Sequence, residues 1–275
     1  MVGRSDAVGS LCDSWGCFPL SSVIARVPIR LGVIGSGTHT LTLKSHSVVQ
    51  GSMRVISLNT NRSAKRMIGD IQSCEPDLIL LQEWTDHKKD RTNLAEVFFP
   101  GLRVAATRYL ATIAEDNFDV VHSEDRILIT RHEGMTVVNT YIPASGSGKV
   151  RREHLEYLNE LLSNLDIIPD IIAGDFNMAP RLEDGWYGEN HSKYTTRGER
   201  FALQEIIARY GLNDLGSNVP WEATFERINN GKLTSFRCDL AIVRGNLWEL
   251  TYEHRFRNED RMSDHSALIL DKRRE

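Results

Sequence analysis

Residues 171–177 read Ile-Ile-Ala-Gly-Asp-Phe-Asn, and this stretch decides the fold class. Its apolar run predicts a buried strand, and the run stops abruptly at a carboxylate and a carboxamide. A strand that ends in this way places Asp175 and Asn177 at the mouth of a sheet, where α/β enzymes hold their reactive groups. The stretch therefore predicts an α/β protein with an active site at the end of this strand.

Polar side chains stand at or near the ends of other apolar runs. They are Asn59 with Asn61, Glu83, Tyr141, Asp239, and Asp264 with His265. Each one alone is also explained as a turn or capping residue, whereas their joint occurrence favours a single cleft. Carboxylates and amides suit a hard cation, so we expect Mg²⁺ or Mn²⁺. A cation beside an Asp–His pair suits the attack of water on a phosphodiester.

Composition narrows the function classes. The 275 residues are 41% hydrophobic and 25% charged, which is typical of a globular domain. The net charge of −4 argues against a binder that relies on overall basicity, but not against a nucleic-acid enzyme with local basic groups. Neither a Gly-x-x-x-x-Gly-Lys loop nor a Gly-x-Ser-x-Gly elbow is present. The cysteines have no zinc-site spacing and predict free thiols in a reducing compartment.

Residues 1–52 differ from the rest of the chain. They contain no glutamate, and Arg26 and Arg30 interrupt their short apolar segments. We therefore expect no membrane span, no secretory signal and an intracellular protein, cytoplasmic or associated with the nucleoid. A Ser-rich, acid-poor transit peptide is a less favoured interpretation. Because Met53 opens a strand directly, we expect residues 1–52 to be a poorly ordered extension and residues 53–275 to form the folded domain.

Apolar runs and helical periodicity alternate irregularly from Met53 onward. Strands are predicted at 54–58, 77–81, within 103–121 and 126–141, and at 170–173, 224–225, 236–243, 248–256 and 266–270. Helices are predicted at 62–74, 149–165 and 200–210. In the middle helix, Leu155, Leu158, Leu162 and Leu165 should share one face. Because strands outnumber helices without strict alternation, we expect mixed sheets in a layered α/β fold.

Six motifs in a fixed order carry a family resemblance. They are Ser57-Leu58-Asn59-Thr60-Asn61, Leu80-Leu81-Gln82-Glu83, Asn139-Thr140-Tyr141-Ile142-Pro143, Gly174-Asp175-Phe176-Asn177, Phe236-Arg237-Cys238-Asp239 and Ser263-Asp264-His265. With them, the chain from Met53 resembles the endonuclease/exonuclease/phosphatase superfamily, and most closely its exonuclease III-type AP endonucleases. The resemblance implies one catalytic domain over 53–275, built as a four-layer α/β sandwich with two mixed β-sheets flanked by helices.

The resemblance also implies a metal site. In it, Glu83 ligates Mg²⁺ or Mn²⁺, and Asn61 and Asp264 complete the site through water. Asn61 stands where some members carry Asp, so one ligand charge is missing. Asn59 links this metal end of the site to Asp175.

The remaining catalytic roles follow from the same resemblance. Asp175 positions or deprotonates the attacking water and is held by Asn177. Asp239 orients His265, and His265 contacts a phosphate oxygen or stabilises its charge. Tyr141 contacts the same phosphate. These groups match the needs of phosphodiester hydrolysis, namely a cation, a water-activating carboxylate and donors for negative charge.

Substrate contacts are expected from Arg151, Arg152, Phe236 and Arg237. Further basic residues near strand ends are Arg62, Lys65, Arg66, Lys193, Arg197, Arg227 and Lys232. An ordinary solvated surface explains these charges equally well. Ala144 stands where AP endonucleases usually carry Asn, and Phe236 where many carry Trp, so the resemblance defines the reaction better than the substrate.

We therefore expect a Mg²⁺-dependent phosphodiesterase that acts on DNA as an AP endonuclease or 3′-exonuclease in DNA repair. Expected partners are DNA, with RNA as an alternative, and the protein is expected to be a monomer without membrane association. Other superfamily hydrolases are alternatives, among them a tyrosyl-DNA phosphodiesterase, an RNA deadenylase and a lipid phosphodiesterase-like enzyme. A catalytically silent binding protein with the same fold is the least favoured interpretation.

Overall fold

A computed structural model of the chain describes residues 53–86, 88–89, 91–144, 146–258 and 262–273. The expectation of a poorly ordered extension at residues 1–52 therefore concerns a segment outside the described residues. Within the described residues, no helix combines the length and the apolar character needed to cross a bilayer.

The described part contains strands and helices in irregular order. In chain order, the strands are β1 Arg54–Asn59, β2 Leu78–Gln82, β3 Arg103–Ala106, β4 Leu110–Ala114, β5 Asp119–Glu124, β6 Ile127–His132, β7 Met135–Tyr141, β8 Ile171–Asp175, β9 Gly185–Tyr187, β10 Asn190–His191, β11 Leu212–Asp214, β12 Phe225–Asn229, β13 Lys232–Phe236, β14 Asp239–Arg244, β15 Trp248–Glu253 and β16 Ala267–Lys272. The helices are α1 Ala64–Gln72, α2 Ala95–Phe98, α3 Gly148–Asn164, α4 Arg197–Tyr210 and α5 Arg255–Asn258.

Two six-stranded mixed sheets form the centre of the domain. Their strand orders are β15-β16-β1-β2-β4-β3 and β11-β14-β8-β7-β6-β5. Within them, β1 with β2 and β7 with β8 are parallel, and the other neighbours are antiparallel. Helix α1 packs on the outer face of the first sheet, and α3 and α4 pack on that of the second. The predicted four-layer α/β sandwich with two mixed sheets is confirmed.

Alternation of side chains along the strands explains the layers. Val55 of β1 and Ile171 of β8 lie in the core between the two sheets. Their chain neighbours Ile56 and Ile172 lie in the two outer cores, beneath the helices. Successive residues of a strand point to opposite faces, so a sheet covered on both sides needs continuous apolar strands. This is why the central strands are apolar runs rather than alternating patterns.

A third sheet adds to the two predicted ones. It has four antiparallel strands in the order β10-β9-β13-β12. The single strand predicted at 236–243 is wrong, because β13 ends at Phe236 and β14 begins at Asp239. Between the two strands, the Arg237 side chain forms buried ion pairs with Asp184 and Asp214. At this point the chain leaves β13 of the third sheet and enters β14 of the second large sheet.

Other local predictions also need correction. The strand predicted at 248–256 ends at Glu253, whose side chain accepts a hydrogen bond from the Arg255 backbone at the start of α5. Leu165 does not join the buried leucines of α3, since it follows the last helical residue and is exposed. Helix α4 begins at Arg197 because Thr196 and Glu199 form a reciprocal capping box.

Gly174 occupies a position that only glycine fits. Its φ is +147°, and a Cβ there would lie 1.9 Å from the carbonyl oxygen of Thr140 on β7. We predict that Gly174→Ala lowers the free energy of unfolding by at least about 2 kcal/mol, because backbone strain and overpacking add. Urea unfolding measures this. As control, Gly69→Ala in α1 meets open space and should be neutral or stabilising. Equal stability of both variants would contradict the prediction.

We predict that a chain beginning at Met53 folds and keeps its activity. Every described strand and helix starts at Arg54 or later. Met53 itself is buried, and its carbonyl accepts a 2.8 Å hydrogen bond from the Lys272 backbone. The measurement compares melting temperature and cleavage rate for the truncated and full-length chains. A large loss in either would show that residues 1–52 belong to the domain.

Candidate active site

The polar groups predicted from the sequence meet at one end of the two large sheets. Asn59 ends β1, and Tyr141 and Asp175 end the parallel neighbours β7 and β8. Asp239 begins β14 and lies opposite Asp175 in the antiparallel register. Because parallel strands place their carboxyl ends at the same sheet edge, strands of both sheets deliver their last residues to one cleft.

Three site residues have a left-handed backbone. Asn61, Glu83 and Asn177 have φ values of +43°, +45° and +48°, and each comes just after the end of a strand. Such conformations are uncommon for residues other than glycine, and they cost about 1–3 kcal/mol each where they are strained. The chain therefore turns sharply as it leaves β1, β2 and β8.

Asp175 is buried and held by three hydrogen bonds. Its Oδ1 accepts the backbone N–H of Asn177 at 2.8 Å. Its Oδ2 accepts the amide N–H groups of Asn59 at 2.9 Å and of Asn177 at 3.0 Å. Asn177 is itself fixed, because it also donates to the carbonyl of Ile142 at 2.9 Å. The carboxylate consequently has one orientation, as a positioned base requires.

His265 connects two carboxylates. Its Nδ1 donates to Asp239 Oδ2 at 2.9 Å, and its Nε2 lies 3.9 Å from Asp175 Oδ2. The Ser263 hydroxyl accepts the His265 backbone N–H at 3.0 Å, which fixes the turn before β16. The bond to Asp239 sets the ring orientation and leaves Nε2 facing the Asp175 side of the cleft.

The environment shifts the proton affinities of this pair. Burial raises the pKa of Asp175 far above its ordinary value, and the negative charge of Asp239 adds to the shift against the favourable charge of His265. Burial alone would lower the pKa of His265, but the carboxylates of Asp239 and Asp175 outweigh it and raise that pKa well above 6.5. Near neutral pH, Asp175 is therefore suited to accept a proton and His265 to donate a hydrogen bond.

Glu83 is the centre of a second group of contacts. Its Oε1 accepts the Tyr141 hydroxyl at 2.6 Å and lies 3.5 Å from the Asn59 amide nitrogen. Its Oε2 lies 3.6 Å from Nε of Arg62. Burial and the charges of Asp175 and Glu83 raise the pKa of Tyr141, so its hydroxyl keeps its proton. Asn59 thereby touches both Glu83 and Asp175 and connects the two halves of the site.

The residues around Glu83 carry oxygen ligands that suit a hard divalent cation. The Asn61 backbone N–H donates to Asn59 Oδ1 at 3.0 Å, so Asn61 stays next to the end of β1. The Ser263 hydroxyl donates to the Asn59 carbonyl at 2.6 Å and brings the segment carrying Asp264 to the same place. Carboxylate and amide oxygens from these residues are the ligand type that Mg²⁺ and Mn²⁺ prefer.

A pocket of about 390 Å³ opens beside His265. It lies against the third sheet, and its lining includes the predicted residues Asn177 and Phe236 together with Tyr187, Tyr194, Phe225, Arg227 and Cys238. Phe225 and Phe236 are register partners across the β12–β13 hairpin. The Phe225 ring also packs on the His265 imidazole with centroids 5.1 Å apart. The pocket therefore offers an aromatic wall and one cation next to the reactive pair.

Two residues expected to bind substrate have structural roles instead. Arg151 is buried on α3, with its Nε 2.5 Å from Glu199 Oε1 and its Nη2 2.8 Å from the Tyr194 carbonyl. Arg237 is buried between Asp184 and Asp214, at 2.9 and 2.7 Å. Because both guanidinium groups are fully buried and paired with carboxylates, neither faces the surface where a phosphate would bind. The expectation that they contact DNA is wrong, whereas Arg152 is exposed on α3 and pairs with Glu156 at 3.2 Å.

We predict that Arg237→Ala lowers the free energy of unfolding by about 3–5 kcal/mol, because it removes the ion-pair partner of buried Asp214 and leaves buried Asp184 with Arg181 alone. Arg152→Ala is the matched control on the surface and should change it by less than about 0.5 kcal/mol. Urea unfolding of both variants measures the difference. A stable Arg237→Ala protein with weakened DNA affinity would contradict the structural role.

The aromatic pocket wall was missed from the sequence because the β12–β13 hairpin was not recognised. Its apolar residues Ile228 and Leu233 pair across the hairpin yet are exposed, so they give no core-facing pattern. The available signal was Asn230-Gly231, a two-residue connection with φ values of +50° and +74°. Asn-Gly between two strands is a strong indication of a tight hairpin turn.

Comparisons with known proteins agree with this geometry. The family model described as "Endonuclease/Exonuclease/phosphatase family" matches residues 56–265. No curated protein sequence shows a significant match. The motifs from Asn59 to His265 all lie inside the matched range.

Solved structures share the fold at low sequence identity. An AP endonuclease from Archaeoglobus fulgidus has a TM-score of 0.64 and 20% identity, over 79% of this chain and 98% of that chain. The 3′ phosphatase NExo from Neisseria, solved with a product DNA hairpin, has a TM-score of 0.62 and 18% identity, over 79% of this chain and 98% of that chain. TDP2 from Caenorhabditis elegans has a TM-score of 0.53 and 17% identity, over 80% of this chain and 74% of that chain. With its family match over most of its length, this chain belongs to the endonuclease/exonuclease/phosphatase family and is a phosphodiester-hydrolysing enzyme.

Proposed function

We propose that the protein is a Mg²⁺- or Mn²⁺-dependent phosphodiesterase that cleaves DNA, acting in repair as an AP endonuclease or 3′-exonuclease. The observation that carries the proposal is a continuous set of hydrogen bonds from Tyr141 through Glu83 and Asn59 to Asp175. On the far side of Asp175, His265 Nε2 lies 3.9 Å from its Oδ2, and His265 Nδ1 donates to Asp239. This arrangement joins a cation site, a base and a phosphate-binding donor within one cleft.

Glu83 would hold the divalent cation, with Asn61 and Asp264 beside it. When bound, the cation supplies Lewis-acid polarisation of the phosphoryl group and charge neutralisation. The rest of the chemistry belongs to the side chains. The positively charged Arg62 lies next to Glu83, where it can donate to phosphate oxygens. The Tyr141 hydroxyl donates its one proton to Glu83, and it would donate to a phosphate oxygen after giving up that bond.

Asp175 accepts a proton from the attacking water in this proposal. The water oxygen then bonds to phosphorus as the bond from phosphorus to the leaving sugar oxygen breaks. Asn59 and Asn177 hold the carboxylate in place, so little reorganisation is needed at the moment of reaction. His265 donates from Nε2 to the developing charge, while Asp239 keeps the ring aligned through Nδ1.

DNA is the favoured substrate for two reasons. Arg62 at the Glu83 side and Arg227 in the pocket put positive charge on either side of the reactive groups, which a phosphate backbone needs. In addition, the similar folds include an AP endonuclease and a 3′ phosphatase bound to a DNA hairpin. RNA cleavage is an alternative outcome of the test.

The pocket favours a second candidate, a tyrosyl-DNA phosphodiesterase. Its volume of about 390 Å³ and its rings, among them Tyr194, Phe225 and Phe236, would accommodate an aromatic adduct beside the scissile phosphate. Ligand pockets in proteins are typically about 300–1,000 Å³ and enclose groups of drug size. The fold similarity to TDP2 is consistent with this candidate.

A panel of end-labelled oligonucleotides tests the proposal. It contains undamaged duplex, duplex with an abasic analogue, 3′-phosphate and 5′-tyrosyl ends, and single-stranded RNA, each with Mg²⁺, Mn²⁺ or chelator. We expect incision at the abasic analogue or release from the 3′ end, and loss of both with chelator. Fastest release of tyrosine would favour the second candidate. Cleavage of RNA alone, or full activity in chelator, would contradict the proposal.

A further inference from the structure

Three side chains of different chemistry converge in the wall of the pocket. One ligand atom from each of Asp175, Cys238 and His265 lies within 4.8 Å of the other two, and all three residues are buried. Cys238 and His265 also line the pocket, so the cluster borders an open space. The hard-metal site around Glu83 does not use the thiol.

The donor set of this cluster differs from that around Glu83. It combines a sulfur, an imidazole nitrogen and a carboxylate oxygen, which are the ligands that Zn²⁺ takes in proteins. Thiolates are poor ligands for Mg²⁺ but good ones for Zn²⁺ and Co²⁺. Burial raises the pKa of the Cys238 thiol, so the thiol is protonated without metal, and an ion that binds there displaces the proton and takes the thiolate as ligand.

The spacing of the cluster is close to that of a bound ion. Metal–ligand bonds of about 2.0–2.3 Å in a tetrahedron put ligand atoms about 3.3–3.8 Å apart. Nε2 of His265 and Oδ2 of Asp175 are already 3.9 Å apart. Pairs at the 4.8 Å limit would have to approach by about 1 Å when the ion binds.

The surroundings also match a metal site. Asp239 accepts from Nδ1 of His265 at 2.9 Å, the outer-shell contact that orients a metal-binding imidazole. Asn59 and Asn177 fix the Asp175 carboxylate. The pocket leaves room for a fourth ligand from solvent, since a site with three protein ligands keeps one open position.

We propose that Asp175, Cys238 and His265 form a binding site for a thiophilic divalent cation such as Zn²⁺, and that its occupation inhibits hydrolysis. A bound ion takes the Asp175 lone pairs that would accept the proton of water. It also occupies the imidazole nitrogen that would face the phosphate. The binding part stands on the geometry alone, whereas the inhibitory part rests on the proposed function.

Cobalt spectroscopy tests binding without any assay of activity. CoCl₂ added to the metal-free full-length protein should produce a near-ultraviolet thiolate-to-cobalt charge-transfer band, which ZnCl₂ then removes. Cys238→Ala should lose the band. Cys74→Ala is the matched control and should keep it, because Cys74 lies at the end of α1, away from the cluster. Cys12 and Cys17 are present in all three proteins and cancel in the difference spectra.

A band of equal intensity in wild type and Cys238→Ala, or no band in wild type at excess CoCl₂, would overturn the proposed site. Ala179 and Phe236 pack on Cys238, so the melting temperature of Cys238→Ala is measured alongside. Should that variant unfold, Asp175→Asn provides the same test, since it keeps the thiol and removes the carboxylate ligand. Its Co²⁺ affinity should fall at least tenfold, and an unchanged affinity would overturn the site.

Inhibition is measured separately, on whichever oligonucleotide the protein cleaves with Mg²⁺. Wild type and Cys74→Ala should be inhibited by ZnCl₂ at concentrations at least tenfold lower than Cys238→Ala. If cobalt binds but ZnCl₂ inhibits Cys238→Ala as strongly as wild type, the proposed binding site stands and its inhibitory role is overturned. Absence of any cleavage would contradict the proposed function, while the cobalt result would still decide the binding site.

Discussion

Asp175→Asn is expected to reduce the cleavage rate by about 10²–10⁴-fold while substrate affinity changes little, which is the usual contribution of a positioned general base. The amide has almost the same shape, and its oxygen at the Oδ2 position can still accept from Asn59 and Asn177, while the contact of Oδ1 with the Asn177 backbone N–H is lost. The main chemical loss is the ability to accept the proton of water, and this acts in the transition state. Single-turnover rates and the substrate Kd of both proteins provide the measurement.

Stability separates this chemical effect from a folding defect. The folded-state pKa of Asp175 is raised from 3.8 to about 7, so stability falls as the pH rises between these two values, and the full cost of ionising the carboxylate is present above about 7. At pH 8, Asp175→Asn should therefore be at least as stable as wild type. Asp170→Asn at the other end of β8 is the control and should keep the rate. A slow but also unstable Asp175→Asn, or a fast variant with weak binding, would refute the assigned role.

Glu83→Gln is expected to abolish cleavage at ordinary Mg²⁺ concentrations. Loss of the ligand charge should cost about 4 kcal/mol or more of transition-state stabilisation, or about 10³-fold in rate. The fold should persist, because Tyr141 can still donate to the amide oxygen at the Oε1 position. Rate measurements over a range of Mg²⁺ and Mn²⁺ concentrations test this, with partial recovery expected at high concentration.

A matched control exists for Glu83. Glu75 follows α1 on the surface and has a similar left-handed backbone, with a φ of +53° against +45°. Glu75→Gln therefore reproduces the residue change and the backbone conformation without touching the site, and it should leave the rate unchanged. Wild-type activity of Glu83→Gln at low Mg²⁺ would remove Glu83 from the cation site.

The Glu83 end of the site is anchored by a buried amide network between the two sheets. Gln82, which ends β2, donates to Asn139 Oδ1 at 2.8 Å, and Asn139 donates to the carbonyl of Ala111 at 3.1 Å. Glu83 and Tyr141 lie just beyond these two amides in the chain. Hydrogen-bonded buried amides of this kind fix the relative position of the sheets, and so the spacing of the reactive groups at their ends.

The layered fold and the ends of the central strands were determined by the sequence itself. Ile171–Asp175 and Leu78–Gln82 are buried on both faces, so their local composition is continuous apolar sequence followed by a polar stop. Because strand ends in parallel pairs meet at one edge, the positions of Glu83 and Asp175 followed from local patterns together with the family resemblance.

Only the tertiary structure determines which of these arginines are exposed and which are buried in ion pairs. In the sequence, Arg151 and Arg237 cannot be distinguished from Arg152. In the structure, Arg151 is buried and pairs with Glu199, 48 residues away in the chain. Arg237 is buried and pairs with Asp214, 23 residues away. The aromatic pocket likewise depends on a hairpin whose residues pack on His265 through long-range pairing. Local sequence records whether a side chain is charged or apolar, but burial and pairing depend on residues far away in the chain. For that reason the meeting of polar groups at the strand ends was predictable, whereas the burial of Arg151 and Arg237 was not.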